Sequence, residues 1–167
     1  MLLTLIAAIA CGFGAAGLVL LAPKLFGKRA PRWLVPAAAG IAMFAFMLWE
    51  NYSWYERARL GLPEGVVVAR TYPHAGLLQP WTYLVPKINR FDAVDRSGAR
   101  THPEAPDVVL ADVLLVQRFA GTLRLAQLFD CASARYADPD EAALADPTAA
   151  AWKDAPAPLI AAACDTG

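Results

Sequence analysis

Before Glu50 this 167-residue chain has no acidic residue: all fifteen Asp and Glu come later, and the only earlier charges are Lys24, Lys28, Arg29 and Arg32. A stretch so poor in charge does not suit the solvated surface of a soluble domain. Histidine and cysteine are also scarce, with two and three copies. His74 and His102 sit in Pro-flanked loops (YPHAG, THPEA) and read as solvated loop residues. No HxH, HExxH or CxxC spacing supplies the three or four ligands of a zinc site. No GxSxG elbow surrounds Ser53, Ser97 or Ser133, which argues against a nucleophilic triad. Asp92 and Asp95 would face opposite ways on a strand, unlike a paired-carboxylate site. The one glycine-rich string, GFGAAG, lies inside an apolar run, where glycine suits helix packing rather than phosphate. Basic patches and like-charge blocks are missing as well, so neither nucleic acid nor an interaction tail is suggested, and no cofactor is expected.

What the chain does have is apolar length. Residues 2–22 carry no charge, and at about 1.5 Å per residue they make a helix of about 31 Å, matching a hydrocarbon core of about 30 Å. A second run, WLVPAAAGIAMFAFMLW, begins at Trp33, with Pro36 in its first turn, where a missing N–H costs least. Trp33 at one end and Trp49, Tyr52, Trp54 and Tyr55 at the other resemble interfacial aromatic belts. The predicted layout is a transmembrane hairpin over 1–55: helix 2–22, loop 23–32, helix 33–54. A signal peptide is the alternative for the first run, but its positive charge follows the apolar stretch instead of preceding it. By the positive-inside rule, Lys24, Lys28, Arg29 and Arg32 keep the short loop cytoplasmic. That puts the N-terminus and everything after the second helix on the periplasmic side of a bacterial inner membrane. Ala8, Gly12 and Ala16, with Ala38 and Ala42, have small-xxx-small spacing. They suit contact between the two helices or, as the rival, a homo-oligomer.

Residues 56–167 then form a small periplasmic α+β domain. VVVARTY (66–72) is a predicted strand, YPHAGLLQP a loop, WTYLV (81–85) a short strand closed by Pro86, and RFDAVD (90–95) a strand ended by an RSG turn. THPEAP is a further loop. PDVVLADVLLVQRF and TLRLAQLFDC flank Ala120-Gly121 as a hairpin, with a long helix as the rival for the first. In the second, Leu123, Leu125, Phe129 and Cys131 share a face. Asp138-Pro139 opens a short helix ended by Pro147, and LIAAAC after Pro158 closes the chain as a helix. Asp112, a carboxylate in an apolar strand, needs a partner, with Arg118 and Arg124 as candidates. Its convergence with His74 and His102 would instead signal an enzyme. In an oxidising compartment cysteines pair, and with Cys11 in the bilayer the available pair is Cys131–Cys164. Closing that loop stabilises by about 3 to 4 kcal/mol in the chain-entropy model.

LFDCASARY, AAAWKDAPAP and LIAAAC, together with RFDAVDRSG, resemble the surface-adhesin E-like domain over roughly residues 90–164. The resemblance implies an antiparallel sheet with a C-terminal helix pinned by Cys131–Cys164. Members of that family are typically secreted or lipid-anchored, and the best-known are surface proteins that bind host components. A membrane hairpin fits that role poorly. The expected function is therefore non-catalytic: an inner-membrane-anchored accessory protein that binds another membrane or envelope protein. Trp49, Tyr52, Trp54, Tyr55 and Trp81 are the candidate partner-binding residues, against the plainer reading of the first four as interfacial anchors. Adhesin-like binding of extracellular ligands and an envelope enzyme of unrecognised type are the alternatives.

Overall fold

The structure, a computed structural model, describes residues 2–26, 31–103 and 105–165. It divides into two compact units, Met1–Trp54 and Tyr55–Gly167. The first holds helix α1 (Leu2–Phe26) and most of helix α2 (Leu34–Leu60). A soluble core helix would be mostly buried, yet the apolar windows of these two are 6% and 0% buried. Both are long enough to cross a bilayer.

α1 runs past its expected end at residue 22, through Pro23. Proline lacks the N–H that would bond one turn back, but its fixed φ is helical, so the ladder loses a bond without breaking here. α2 also outruns its expected end at 54, because Glu, Arg, Ala and Leu in WYERARL are good helix formers. It stops at Gly61, whose N–H caps the Arg57 carbonyl at 3.1 Å. Gly12 of α1 is buried, and a Cβ there would collide with Met43 Cε. Beside it, Cys11 Sγ lies 3.8 Å from the Ala42 carbonyl. Gly12 and Ala42 thus serve a contact inside the chain. Of the four cations, Lys24 belongs to the end of α1 and Arg32 is exposed just before α2. Lys28 and Arg29 lie outside the described residues.

The second unit is a curled meander of six antiparallel strands in sequence order, β1 (Val66–His74), β2 (Lys87–His102), β3 (Ala105–Gln117), β4 (Gly121–Asp130), β5 (Arg135–Ala137) and β6 (Lys153–Asp154). The expected strand at 81–85 is instead a 3-10 helix, Pro80–Tyr83. Pro80 fixes a helical φ at its start, and Thr82 Oγ1 donates back to the Gln79 carbonyl at 2.6 Å, a local bond that competes with strand pairing.

The expected turn at RSG is also absent, since β2 continues to His102 with a register shift between Asp95 and Arg100. The side chain of Asp95 accepts from Ser97 N at 3.0 Å and Ser97 Oγ at 2.5 Å, absorbing the extra residues as a bulge. Gly65 supports this from the start of β1. Its φ of +89° suits glycine, and its carbonyl accepts from Arg96 N at 2.9 Å. The THPEAP loop shrinks to a tight link between β2 and β3, within which Glu104 lies outside the described residues.

β3 and β4 pair as expected, in unbroken register from Val108↔Asp130 to Gln117↔Gly121, and Gly121 takes φ +85° at the turn. One sheet face carries Val94, Ala111, Val113 and Phe129 under helix α4 (Ala157–Cys164). Arg96 reaches across and donates to the α4 carbonyls of Ala162 (2.6 Å) and Ala161 (3.1 Å), a cationic cap on the negative end of the helix. The other face buries Val108, Leu128 and Ala137 under Ala143 of helix α3 (Glu141–Ala145), Ala150 and Trp152.

Candidate functional site

The disulfide Cys131–Cys164 is present, with its Cα atoms 5.8 Å apart. Cys131 follows β4, and its N–H still bonds the Asp107 carbonyl at 2.9 Å. Asp130 closes the turn that delivers it: Oδ1 accepts from Ala132 N and Ser133 N, each at 3.1 Å, and Oδ2 pairs with Arg135 at 3.2 Å. Burial pushes the Asp130 carboxyl up, but the bonds from Ser133 and Arg135 outweigh it and hold the group below its ordinary value.

The aromatic residues expected to bind a partner divide. Trp49 and Tyr52 are exposed. Trp54 is only 7% exposed, and Tyr55 closes edge-on against Phe91 with ring centroids 5.4 Å apart. Trp54 and Tyr55 therefore serve packing. Trp81 is half-buried in the 3-10 helix.

Around Trp81 lies an apolar surface that the sequence divided between a loop (YPHAGLLQP) and a short strand (WTYLV). Leu77, Leu78, Tyr83, Leu84 and Val85 are all exposed, Leu78 at 96% and Leu84 at 87%. They do not hang from a slack chain. Thr82 is fully buried and ties the loop, accepting from Gly76 N at 3.0 Å while donating to the Gln79 carbonyl. Lys87 adds a bond to Gln79 Oε1 at 2.7 Å. Burial, with a lesser push from Arg118, lowers the pKa of the Lys87 ammonium. The available sequence signal was six apolar residues crowded between Gly76 and Pro86.

A second concave feature opens on the α4 side of the sheet. Arg70 and Tyr72 of β1 stand beside Arg90 and Asp92 of β2, and Tyr72 Oη donates to Asp92 Oδ2 at 2.5 Å. Both guanidinium groups lie against the Tyr72 ring, Arg70 at 4.9 Å and Arg90 at 4.0 Å from its centroid. Arg90 Nε and Asp92 Oδ1 are buried, 3.8 Å apart, and neither makes a hydrogen bond. Val113, Leu115, Leu125 and Leu159 complete a half-enclosed cavity of about 240 Å³. An adjoining cavity of about 390 Å³, floored by Leu115 and Leu123, shares Arg90 with it.

On the opposite face Asp112 finds one of its expected partners: Arg124 Nε donates to its Oδ2 at 2.8 Å, while the same guanidinium pairs with Asp95. Bonding to Ser97, opposed by burial and assisted by Arg124, holds Asp95 below its ordinary pKa. Asp92 and Asp95 do face opposite ways, since Asp92 opens on the groove. His74 pairs with Lys87 at one end of β2, and His102 at the other end contacts the Leu144 carbonyl at 3.1 Å. Asp112 pairs midway, opposite Asp95, so these three side chains do not converge. Among the described residues no group of three or more His, Cys, Asp or Glu is placed to hold a metal ion. Against family models, curated proteins and solved structures, the chain finds no significant match.

Proposed function

We infer that this is a membrane-anchored, extracytoplasmic interaction protein that works by docking on another membrane or envelope protein, without catalysis. α1 and α2 are the anchor. The four cations at the end of α1 and before α2 orient it with both ends outside, and a disulfide in the second unit suits the same oxidising side. The observation that carries the docking reading is the loop at 77–85. Large exposed apolar side chains held outward by a hydrogen-bonded turn are a costly surface for a domain to leave open, and such patches mark protein or membrane contacts. A protein partner is favoured because the patch has a fixed backbone shape, which is what a complementary surface reads. The resemblance to surface-adhesin E-like domains enters this proposal as a fold only, supported by a sheet that ends in a disulfide-tied helix.

Site-specific photo-crosslinking in intact cells tests it. A probe at Leu78 or Leu84 is expected to give one discrete protein adduct. A probe at Leu144, which is also exposed but remote in sequence, should give none. Leu77→Glu and Leu84→Glu should remove the adduct while leaving the disulfide formed. Lipid-only adducts, or a diffuse smear at all three positions, would discard the reading.

A further inference from the structure

The groove between β1, β2 and α4 is a separate feature from the apolar loop. Its polar wall holds Arg70, Arg90 and Asp92, a formal charge of one excess cation, and its floor is aliphatic. Two guanidinium groups against one tyrosine ring repel each other, and among the described residues neither has a hydrogen-bonded carboxylate. Asp92 offsets only one of the two: one of its oxygens is committed to Tyr72, and the other forms a loose ion pair 3.8 Å from Arg90 Nε. Arg90 is therefore held by ring stacking and that loose ion pair, without a hydrogen bond from its Nε; with 44% of its side chain exposed, it can turn toward an incoming anion. Arg70 is exposed on the edge strand and free to do the same.

From this charge pattern and apolar floor, we propose that the groove binds a small monocarboxylate with an unbranched apolar tail. The head is clasped between Arg70 and Arg90, and the tail lies over Leu115, Leu125 and Leu159. A planar guanidinium meets a carboxylate with two parallel hydrogen bonds. One excess positive charge matches one negative charge better than two. At about 30 Å³ per water-sized volume, the cavity of about 240 Å³ holds about eight non-hydrogen atoms, the size of hexanoate. The adjoining cavity past Leu115 gives a longer tail somewhere to go.

Calorimetric titration of the full chain in nonionic micelles, with empty micelles subtracted, tests this directly. Hexanoate is expected to bind saturably with a Kd on the order of 1 mM. Hexanol, which keeps the tail and loses the charge, should bind at least about tenfold more weakly, as should acetate, which keeps the charge and loses the tail. Octanoate should bind about tenfold more tightly. Arg70→Gln should weaken hexanoate about tenfold and leave hexanol unchanged, and R70Q/R90Q should abolish saturable hexanoate binding. Hexanol equal to hexanoate, or hexanoate unaffected by R70Q/R90Q, overturns the proposal, as does no saturation by roughly 20 mM. Should R90Q misfold, Arg70→Gln alone decides, because its side chain is exposed. N-acetylleucine binding more than about tenfold tighter than hexanoate would assign the groove to a peptide terminus and overturn the fatty-acid class.

Discussion

The two ends of the β3–β4 hairpin share strands and register but not environment. Near Cys131, Leu128 and Phe129 are almost wholly buried between α4 on one face and α3 with Trp152 on the other. Toward the turn, Leu123 is 56% exposed and Leu125 40%, although both lie on the same face as Phe129. The difference is one of reach. α4 has eight residues, about 12 Å of helix, whereas the thirteen residues of β3 extend about 43 Å. A cover that short shields the disulfide end and leaves the rest of the apolar stripe open. The open part is where the arginine-walled groove lies. Alternation along a strand thus says which face is apolar, and the length of the covering element says how much of it is core.

Substitution at matched positions should break the hairpin into these two halves. Phe129→Ala removes a fully buried ring and is expected to cost about 3–5 kcal/mol, whereas Leu123→Ala on the same face should stay within about 0.5 kcal/mol. Denaturant unfolding of the detergent-solubilised chain measures both, and equal costs would refute the account of partial cover. Next in size is the disulfide. C131A/C164A should lower stability by about 3 to 4 kcal/mol. α4 keeps Ala162, Ala163 and Leu159 packed on the sheet and so should fray rather than detach. Amide exchange should therefore rise in α4 and β5 while the hairpin turn is unchanged. A uniform rise would mean that the two ends unfold as one.

The same contrast explains what was legible beforehand. The apolar helices, the β3–β4 hairpin, the closing helix and Cys131–Cys164 were readable because each rests on local pattern or on a cysteine count with one solution. The bulge at Ser97 and the 3-10 helix at Pro80–Tyr83 were not, because both depend on side-chain bonds to nearby backbone that compete with strand pairing. Tyr55 looked like an interfacial aromatic, since composition cannot tell an exposed ring from one closed against a strand residue such as Phe91. The groove was invisible for a different reason. Arg70, Tyr72, Arg90 and Asp92 come together only through the β1–β2 register, which includes a shift between Val68 and Arg70 that no periodicity announces.

The smallest expected effect is electrostatic and lies on the face away from α4. Arg124 bridges Asp95 and Asp112 with 56% of its side chain exposed, so solvent screens the pair and Arg124→Gln should cost no more than about 1 kcal/mol at neutral pH. Asp95 and Asp130 both have pKa values held below 3.8 in the folded chain. Their contribution is complete above 3.8, the unfolded value, and is lost as pH falls through the lower folded values, where the unfolded chain has already taken up its protons. The domain should therefore lose stability below about pH 4. Because Ser97, rather than Arg124, is the main cause of the shift at Asp95, Arg124→Gln should move the acid midpoint up less than Ser97→Ala does. Acid titrations followed by near-ultraviolet circular dichroism rank the two. A larger shift for Arg124→Gln would make the ion pair, and not the hydroxyl inside the bulge, the device that keeps Asp95 charged.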